Sequence, residues 1–380
     1  MDQKLNCRFT ANRPACIRKT IAKLSISIAL GALGLSWPSL LANRSDWIET
    51  HYSETVYQSI RRAISAVTSL VPISIAELLI YALALLIPAL IIWRILQTAL
   101  RRITFPRLLQ TLTSVLLAAA IVLNLFYFTW GFNYFREPLS KRMGLNITSR
   151  SVDELEDFVL KTAEKARALR ASLPEDRNGV FSPVESNQQI MNALPEAYAA
   201  LSARYPVFQA DTTRAKRVLW SRGLSWQGIA GIYIGLTAEP NVNADQHPLL
   251  LFHAAAHEMA HQTGLASENE AEFTAYLACL SSQDPNVQYS GLMNALILAG
   301  NALYHADSER YLAATALYGD AIWRDLKDYD AYWSAFKGEI RESADKRNDA
   351  YLKHNSQQSG TKSYGESVDL MLAFQAKNIG

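Results

Sequence analysis

The sequence predicts a mainly α protein, with three transmembrane helices near the N-terminus and then a mostly helical domain containing one small β element. Three observations carry that prediction. The first 130 residues hold three long stretches almost free of charge. Most of the remainder alternates charged and apolar positions at helical spacing. A single stretch, 218–236, is instead rich in Gly, Ile, Tyr and Trp, and reads as strand.

Charge divides the chain in the same place. The overall +2 conceals a net +8 over residues 1–130 and −6 over 131–380. The basic residues flank apolar spans instead of forming a soluble face, which argues against a nucleic-acid partner. Cys7 and Cys16 precede the first apolar stretch and Cys279 stands alone, so there is no disulfide framework. Cys279 reads as a small core residue.

Taken in order, residues 24–42 run without a charge after a basic N-terminus, as an uncleaved span or a signal-peptide core would; the span is the preferred reading. Residues 47–70 space Ile48, Tyr52, Val56, Ile60, Ile64 and Val67 as an amphipathic helix at the outer surface. The second span covers 72–93, broken only by Glu77 and Pro88, and the third covers 108–130. Each can cross a hydrocarbon core of about 30 Å. Glu77 lies near the outer end, where a hydrogen bond explains it better than ion transport. The 94–107 connector has four arginines and no acid, which places it and the N-terminus in the cytoplasm. Residues 131–380 then form an extracytoplasmic domain.

In that domain Ser151-x-x-Glu154 is a capping box opening a helix to about 173. A second helix is expected over 187–204, a strand within 229–236 and a polar turn over 241–248. An apolar helix over 249–262 carries the chemistry, and helices follow at about 286–304, 309–326, 328–353 and 364–377.

His257-Glu258-Met259-Ala260-His261 is an H-E-x-x-H motif. On a helix its histidines lie one turn apart on one face, so both imidazoles can reach one zinc ion. Glu258 falls beside them, where a carboxylate can take a proton from a zinc-activated water. Gly264 suits a left-handed helix cap. A third ligand is required, and Glu268, Glu270 and Glu272 follow within eleven residues. Ser267-x-x-Glu270 reads as a capping box, which gives Glu270 a supporting role behind the site. Glu268 and Glu272 are one turn apart, so one can bind zinc while the other holds a histidine ring. His253 lies too far along the helix to share the ion with His261 and reads as a core residue or a support. His247 reads as a surface or helix-start residue.

These residues carry a resemblance. H-E-x-x-H followed by E-x-x-A-(D/N/E) resembles the gluzincin zinc peptidases, among them the CAAX-type and heat-shock membrane proteases. The resemblance implies a zincin-like domain with His257, His261 and Glu268 as zinc ligands and Glu272 behind them. Glu272 stands where Asn or Asp is usual, and the ligand gap is short, so Glu272 stays the alternative ligand. The chain also resembles an uncharacterised bacterial family of three-span membrane proteins with an outer H-E-x-x-H domain. That likeness runs through Trp130-Gly131-Phe132-Asn133-Tyr134, Gly228–Tyr233, Glu239–Asn243, the motif itself and Gly360–Gly365.

The resulting expectation is a membrane-anchored zinc metallopeptidase of the bacterial inner membrane, hydrolysing peptide bonds with Glu258 as general base. Its expected partners are the lipid bilayer and a peptide or protein substrate, with envelope or membrane proteins as the candidates. A catalytically inactive sensing or binding module, with or without zinc, is the alternative. The oxyanion donor is sought in Tyr364, then Tyr289 and His305. The strand with Ile232, Tyr233 and Ile234 could pair with an extended substrate, with Glu239 and Asn241 beside it. Glu239, Asn241 and Asn243 alternate like calcium ligands but lack the glycine and distal glutamate of an EF-hand loop, so loop capping is preferred.

Overall fold

A computed structural model describes residues 13–100, 105–148, 150–355 and 363–379. The fold is mainly helical, and three helices are long and apolar enough to cross a membrane: Ile17–Leu41, Ile75–Ala99 and Leu108–Thr129. The protein is thus a multi-pass membrane protein.

The first span belongs to helix α1 (Arg13–Leu41) and packs along α4 (Phe105–Thr129). Gly34 makes the approach possible, since a Cβ there would lie 2.6 Å from the Leu123 side chain. Two polar pairs fix the register: Trp37 Nε1 donates to Asn124 Oδ1 at 3.0 Å, and Lys23 Nζ to Ser114 Oγ at 2.8 Å. Between them in sequence lie a π-helical stretch, Ile48–Val56, that continues as α2 (Tyr57–Thr68), and then span α3 (Ile75–Ala99).

The π-to-α connector is amphipathic, with a different division of faces from the expected one. Ile48, Tyr52, Tyr57, Gln58, Arg61 and Ser65 are buried, whereas Val56 and Val67 are exposed. The wider π turns rotate the register, so from Tyr57 onward a polar face meets the protein and the apolar face looks outward.

The domain that follows runs α5 (Val152–Arg170), the short α6 (Asn187–Met191), α7 (Leu194–Arg204), β1 (Lys216–Arg217), α8 (Ser221–Trp226), β2 (Gly231–Ile234) and β3 (Glu239–Val242). Then come α9 (Pro248–Gln262), α10 (Glu268–Ser281), α11 (Pro285–Ala306), α12 (Ser308–Thr315), α13 (Gly319–Ser334), α14 (Glu339–His354) and α15 (Ser363–Ile379). The predicted capping box at Ser151 and Glu154 is formed. The helices expected over 187–204, 309–326 and 328–353 are each interrupted. Pro195 restarts the first within α7's opening turn, and Gly319 and Gly338, with φ of 75° and 147°, divide the other two.

At the centre α9, α10 and α11 pack on one another, with α5, α7 and α15 around them. Alanines make this tight: Ala254, Ala255, Ala256 and Ala260 on α9, and Ala271, Ala275 and Ala278 on α10, are all buried. A Cβ on Gly291 of α11 would stand 2.4 Å from Cys279 Cβ, which explains a small residue at Cys279.

The sheet has the order β1-β3-β2, with β1 parallel and β2 antiparallel to β3. β3 was not expected, and its last two residues fall in the expected 241–248 turn, because Glu-Pro-Asn-Val has no strand signature. Its polar side chains are satisfied internally. Glu239 pairs with buried Lys216 at 2.5 Å and accepts the amides of Ile75 and Ala76 at 3.1 and 2.8 Å, capping span α3. In return Glu77 of that span accepts the amides of Leu219 and Trp220 at 2.7 and 2.8 Å. The second span and the sheet are clamped together from both sides, which gives Glu77 the structural role expected of it.

Candidate metal centre

Helix α9 starts at His247, whose Nδ1 accepts the Leu249 amide at 3.1 Å while Nε2 faces Asp328 at 3.0 Å. It is apolar on almost every face, and residues 251–262 are all buried. Its C-terminal carbonyls are satisfied by side chains from the membrane-proximal part. Tyr57 donates to Gln262 O at 2.9 Å, Gln58 to Thr263 O at 3.0 Å and Arg136 to Gly264 O at 2.9 Å. Gly264, with φ of 97°, turns the chain into α10 as expected.

This turn brings His257, His261 and Glu268 together, with one ligand atom of each within 4.8 Å of the others. Glu268 Oε2 is 3.1 Å from His257 Nε2 and 3.7 Å from His261 Nε2. The other ring nitrogens are engaged: His257 Nδ1 with Glu272 Oε2 at 2.9 Å, and His261 Nδ1 with Leu265 O at 2.7 Å. Both rings thus present Nε2 to Glu268. Glu272 is held in turn by the Asn294 amide, and His253 Nε2 stands 3.6 Å from Glu272 Oε1. The three groups could hold a metal ion, with Glu272 supporting His257 from behind.

The electrostatics suit a cation. Burial pulls the His257 imidazole down, but hydrogen bonds and charge from Glu268 and Glu272 more than offset it, leaving it well above its ordinary value. Burial raises both carboxyls, yet the histidine partners bring Glu268 and Glu272 well below the usual range.

Glu258 lies next to this group, buried beneath β2. A Cβ on Gly231 would lie 2.6 Å from Glu258 Cγ and Oε1, so only glycine leaves room there. Burial raises the Glu258 carboxyl to about 7, against the lowering effects of His257, His261 and the Tyr233 amide.

Other expected residues divide. Ser267 opens α10 without a side-chain cap, and its hydroxyl turns to Asn269. The expected capping box with Glu270 is absent: Glu270 Oε1 accepts the Leu139 amide at 2.6 Å, near Arg142, instead of returning to Ser267. A long-range amide from the segment after the third span outcompetes the local cap. Ile232, Tyr233 and Ile234 form the edge strand, with Ile232 exposed and Tyr233 Oη 3.1 Å from Tyr57 Oη. Glu239 and Asn241 are buried, engaged with Lys216 and with backbone, and not open to a substrate. Tyr289 bonds to Asp325 in the core, and His305 is exposed beside Tyr304 on the last turn of α11. The Tyr364 side chain and residues 360–362 lie outside the described residues.

Sequence reasoning missed the aromatic wall. Trp130 meets His261 edge-on, with ring centroids 5.9 Å apart, and also packs on Tyr233 at 4.8 Å. Tyr134 and Tyr351 share a hydroxyl hydrogen bond of 3.0 Å, and the charge of Glu268 acts on both. Burial, then the hydroxyl of Tyr351 and the Glu268 carboxylate, hold the Tyr134 phenol well above its ordinary value, so it stays a donor at neutral pH. The Trp-Gly-Phe-Asn-Tyr stretch was the available signal.

A family model described as a protein of unknown function (DUF3810) matches residues 52–372. The chain belongs to that family. Searches of curated proteins and of solved structures find no match.

Proposed function

We propose that the protein is a membrane-anchored zinc metallopeptidase. The observation that carries this reading is the buried Glu258 carboxylate standing beside the His257, His261 and Glu268 donors, under a strand that yields space only through Gly231. Donors about 2.0–2.2 Å from a tetrahedral zinc stand roughly 3.3–3.6 Å apart, and the contacts of 3.1 and 3.7 Å to Glu268 bracket that spacing. Two imidazoles and a carboxylate are also the donor set of a catalytic zinc with one position left for water. Bound there, zinc would supply Lewis acidity toward a water and the scissile carbonyl.

The chain's own residues would do the rest. Glu258, with a carboxyl near 7, takes a proton from the attacking water and returns it to the leaving nitrogen. Among the described residues, Tyr134 and Tyr351, protonated and under the charge of Glu268, are the candidate donors to stabilise the developing oxyanion. The edge of β2 offers backbone groups to an extended peptide.

The topology belongs to the same proposal. The four arginines of 94–107 put that connector and the N-terminus in the cytoplasm, and the metal-centre domain outside the bacterial inner membrane.

Purified full-length protein should carry about one zinc per chain, lost in His257→Ala. Glu258→Gln should keep the zinc and lose peptide hydrolysis. A metal-free wild type, or unchanged hydrolysis in Glu258→Gln, would refute the proposal.

A further inference from the structure

We infer that the site acts on polypeptide segments just emerging from the bilayer, in proteins that are themselves membrane-anchored, and discriminates against free peptides. The inference rests on the peptidase reading and adds the substrate class to it.

Three joints weld the domain to the spans. At the third span, helix α4 ends at Thr129, and the next residue, Trp130, already touches the His261 ring. At the second, Glu239 caps the first turn of α3 while Glu77 of that turn holds Leu219 and Trp220. Between the first and second, Tyr57 and Gln58 bind the last carbonyls of the motif helix itself. Buried Arg61 extends that seam to Asp211 at 2.8 Å. None of these is a flexible linker, so the metal centre cannot swing away from the membrane surface.

The underside of the domain is built for lipid contact. Val67, Leu70, Leu219 and Trp220 are between 56% and 80% exposed. The Leu219 and Trp220 amides are bonded to the first turn of a span, so these side chains sit at the level where that span enters the bilayer. A tryptophan there matches the interfacial preference of its ring. The apolar face of α2, which joins two spans, continues the same surface.

The reach of the site follows. One Trp130 side chain separates the end of α4 from His261, so the His261 ring is at most about 15 Å from the span end, or roughly four to five extended residues. A substrate tethered in the same bilayer presents such residues continuously at that height. A free peptide must first find the cleft against the membrane.

The test uses full-length protein in phosphatidylcholine–phosphatidylglycerol vesicles. Co-reconstituted single-span reporters carry one degenerate ten-residue cassette, either directly at the outer end of the span or beyond a rigid helical spacer of about 40 Å, roughly 27 residues. The same cassette is added as free peptides, and products are mapped by mass spectrometry. Cleavage that depends on Glu258 should be at least tenfold faster in the span-adjacent cassette than in either other arm. Equal rates in the spaced cassette or the free peptides overturn this inference and leave the peptidase reading standing. No Glu258-dependent cleavage in any arm overturns both.

Discussion

Replacing Glu272 by Gln separates the residue that holds a histidine from the residue proposed to bind the metal. Glu272 Oε2 faces His257 Nδ1 at 2.9 Å while Oε1 accepts from the Asn294 amide. A glutamine has one oxygen and one amide nitrogen for these two donors, so one donor must face another whichever way it flips. The change also removes the charge that makes His257 a stronger base. Removing such a partner behind a metal-ligating histidine costs about 10–100-fold in metal affinity. That range is about 1.4–2.7 kcal/mol. It matches the roughly 1–3 kcal/mol of a buried polar group left unsatisfied. Glu268→Gln is different, because it deletes one of the three groups that converge within 4.8 Å. Titration of full-length protein in detergent against a chromophoric zinc chelator should give Glu272→Gln one zinc of reduced affinity and Glu268→Gln no stoichiometric zinc. The opposite pattern would make Glu272 the ligand and Glu268 its support, and the reasoning from ring-nitrogen engagement would fail.

Three further outcomes are expected. Gly231→Ala drives a methyl into Glu258, so hydrolysis should fall at least tenfold while zinc content, read by elemental analysis, stays at the wild-type level. Burial raises Glu49 but Arg136 and Arg142 bring it net below the usual carboxylate range. A lowered folded pKa contributes stability present above the unfolded value, near 4.5, and lost as pH falls through the folded one. Glu49→Gln should therefore cost about 3–5 kcal/mol near neutrality, and thermal melts should show a flatter profile below pH 4.5 than wild type. A parallel acid limb in both proteins would contradict this. Lys216→Ala strands the buried Glu239 carboxylate at the mouth of α3, and melts should report a loss of similar size, about 3–5 kcal/mol.

Much of the centre was legible because helical geometry converts spacing into direction. His257 and His261 at i and i+4, a glycine turn and a second helix are local facts, and they place Glu268 and Glu272 against the two nitrogens of His257. The spans were legible from length and the absence of charge. What could not be read depends on partners far along the chain. Glu270 satisfies every local rule for a cap, yet binds the Leu139 amide 131 positions away. β3 has a proline and two polar residues in its four, and is a strand only because Lys216, span α3 and β2 surround it. Tyr134 and Tyr351 meet across 217 positions. Helix lengths beyond α11 were overstated because periodicity continues through Gly319 and Gly338 while the backbone does not.

The double clamp on α3 has a consequence for biosynthesis. The amides of Ile75 and Ala76 wait for a carboxylate 164 and 163 positions later, and Glu77 waits 142 for Leu219. At about 5–20 residues per second, the ribosome needs roughly 8–30 s to make the intervening chain. During that interval only the Ser74 hydroxyl caps the second span, through the Glu77 amide, and the Glu77 carboxylate sits at the lipid boundary with Tyr81 as its neighbour. Closure of the clamp is thus a late checkpoint, at which the later part of the chain reports back to the span already made. A nascent protein truncated before Glu239 should be the form that quality-control proteases recognise first.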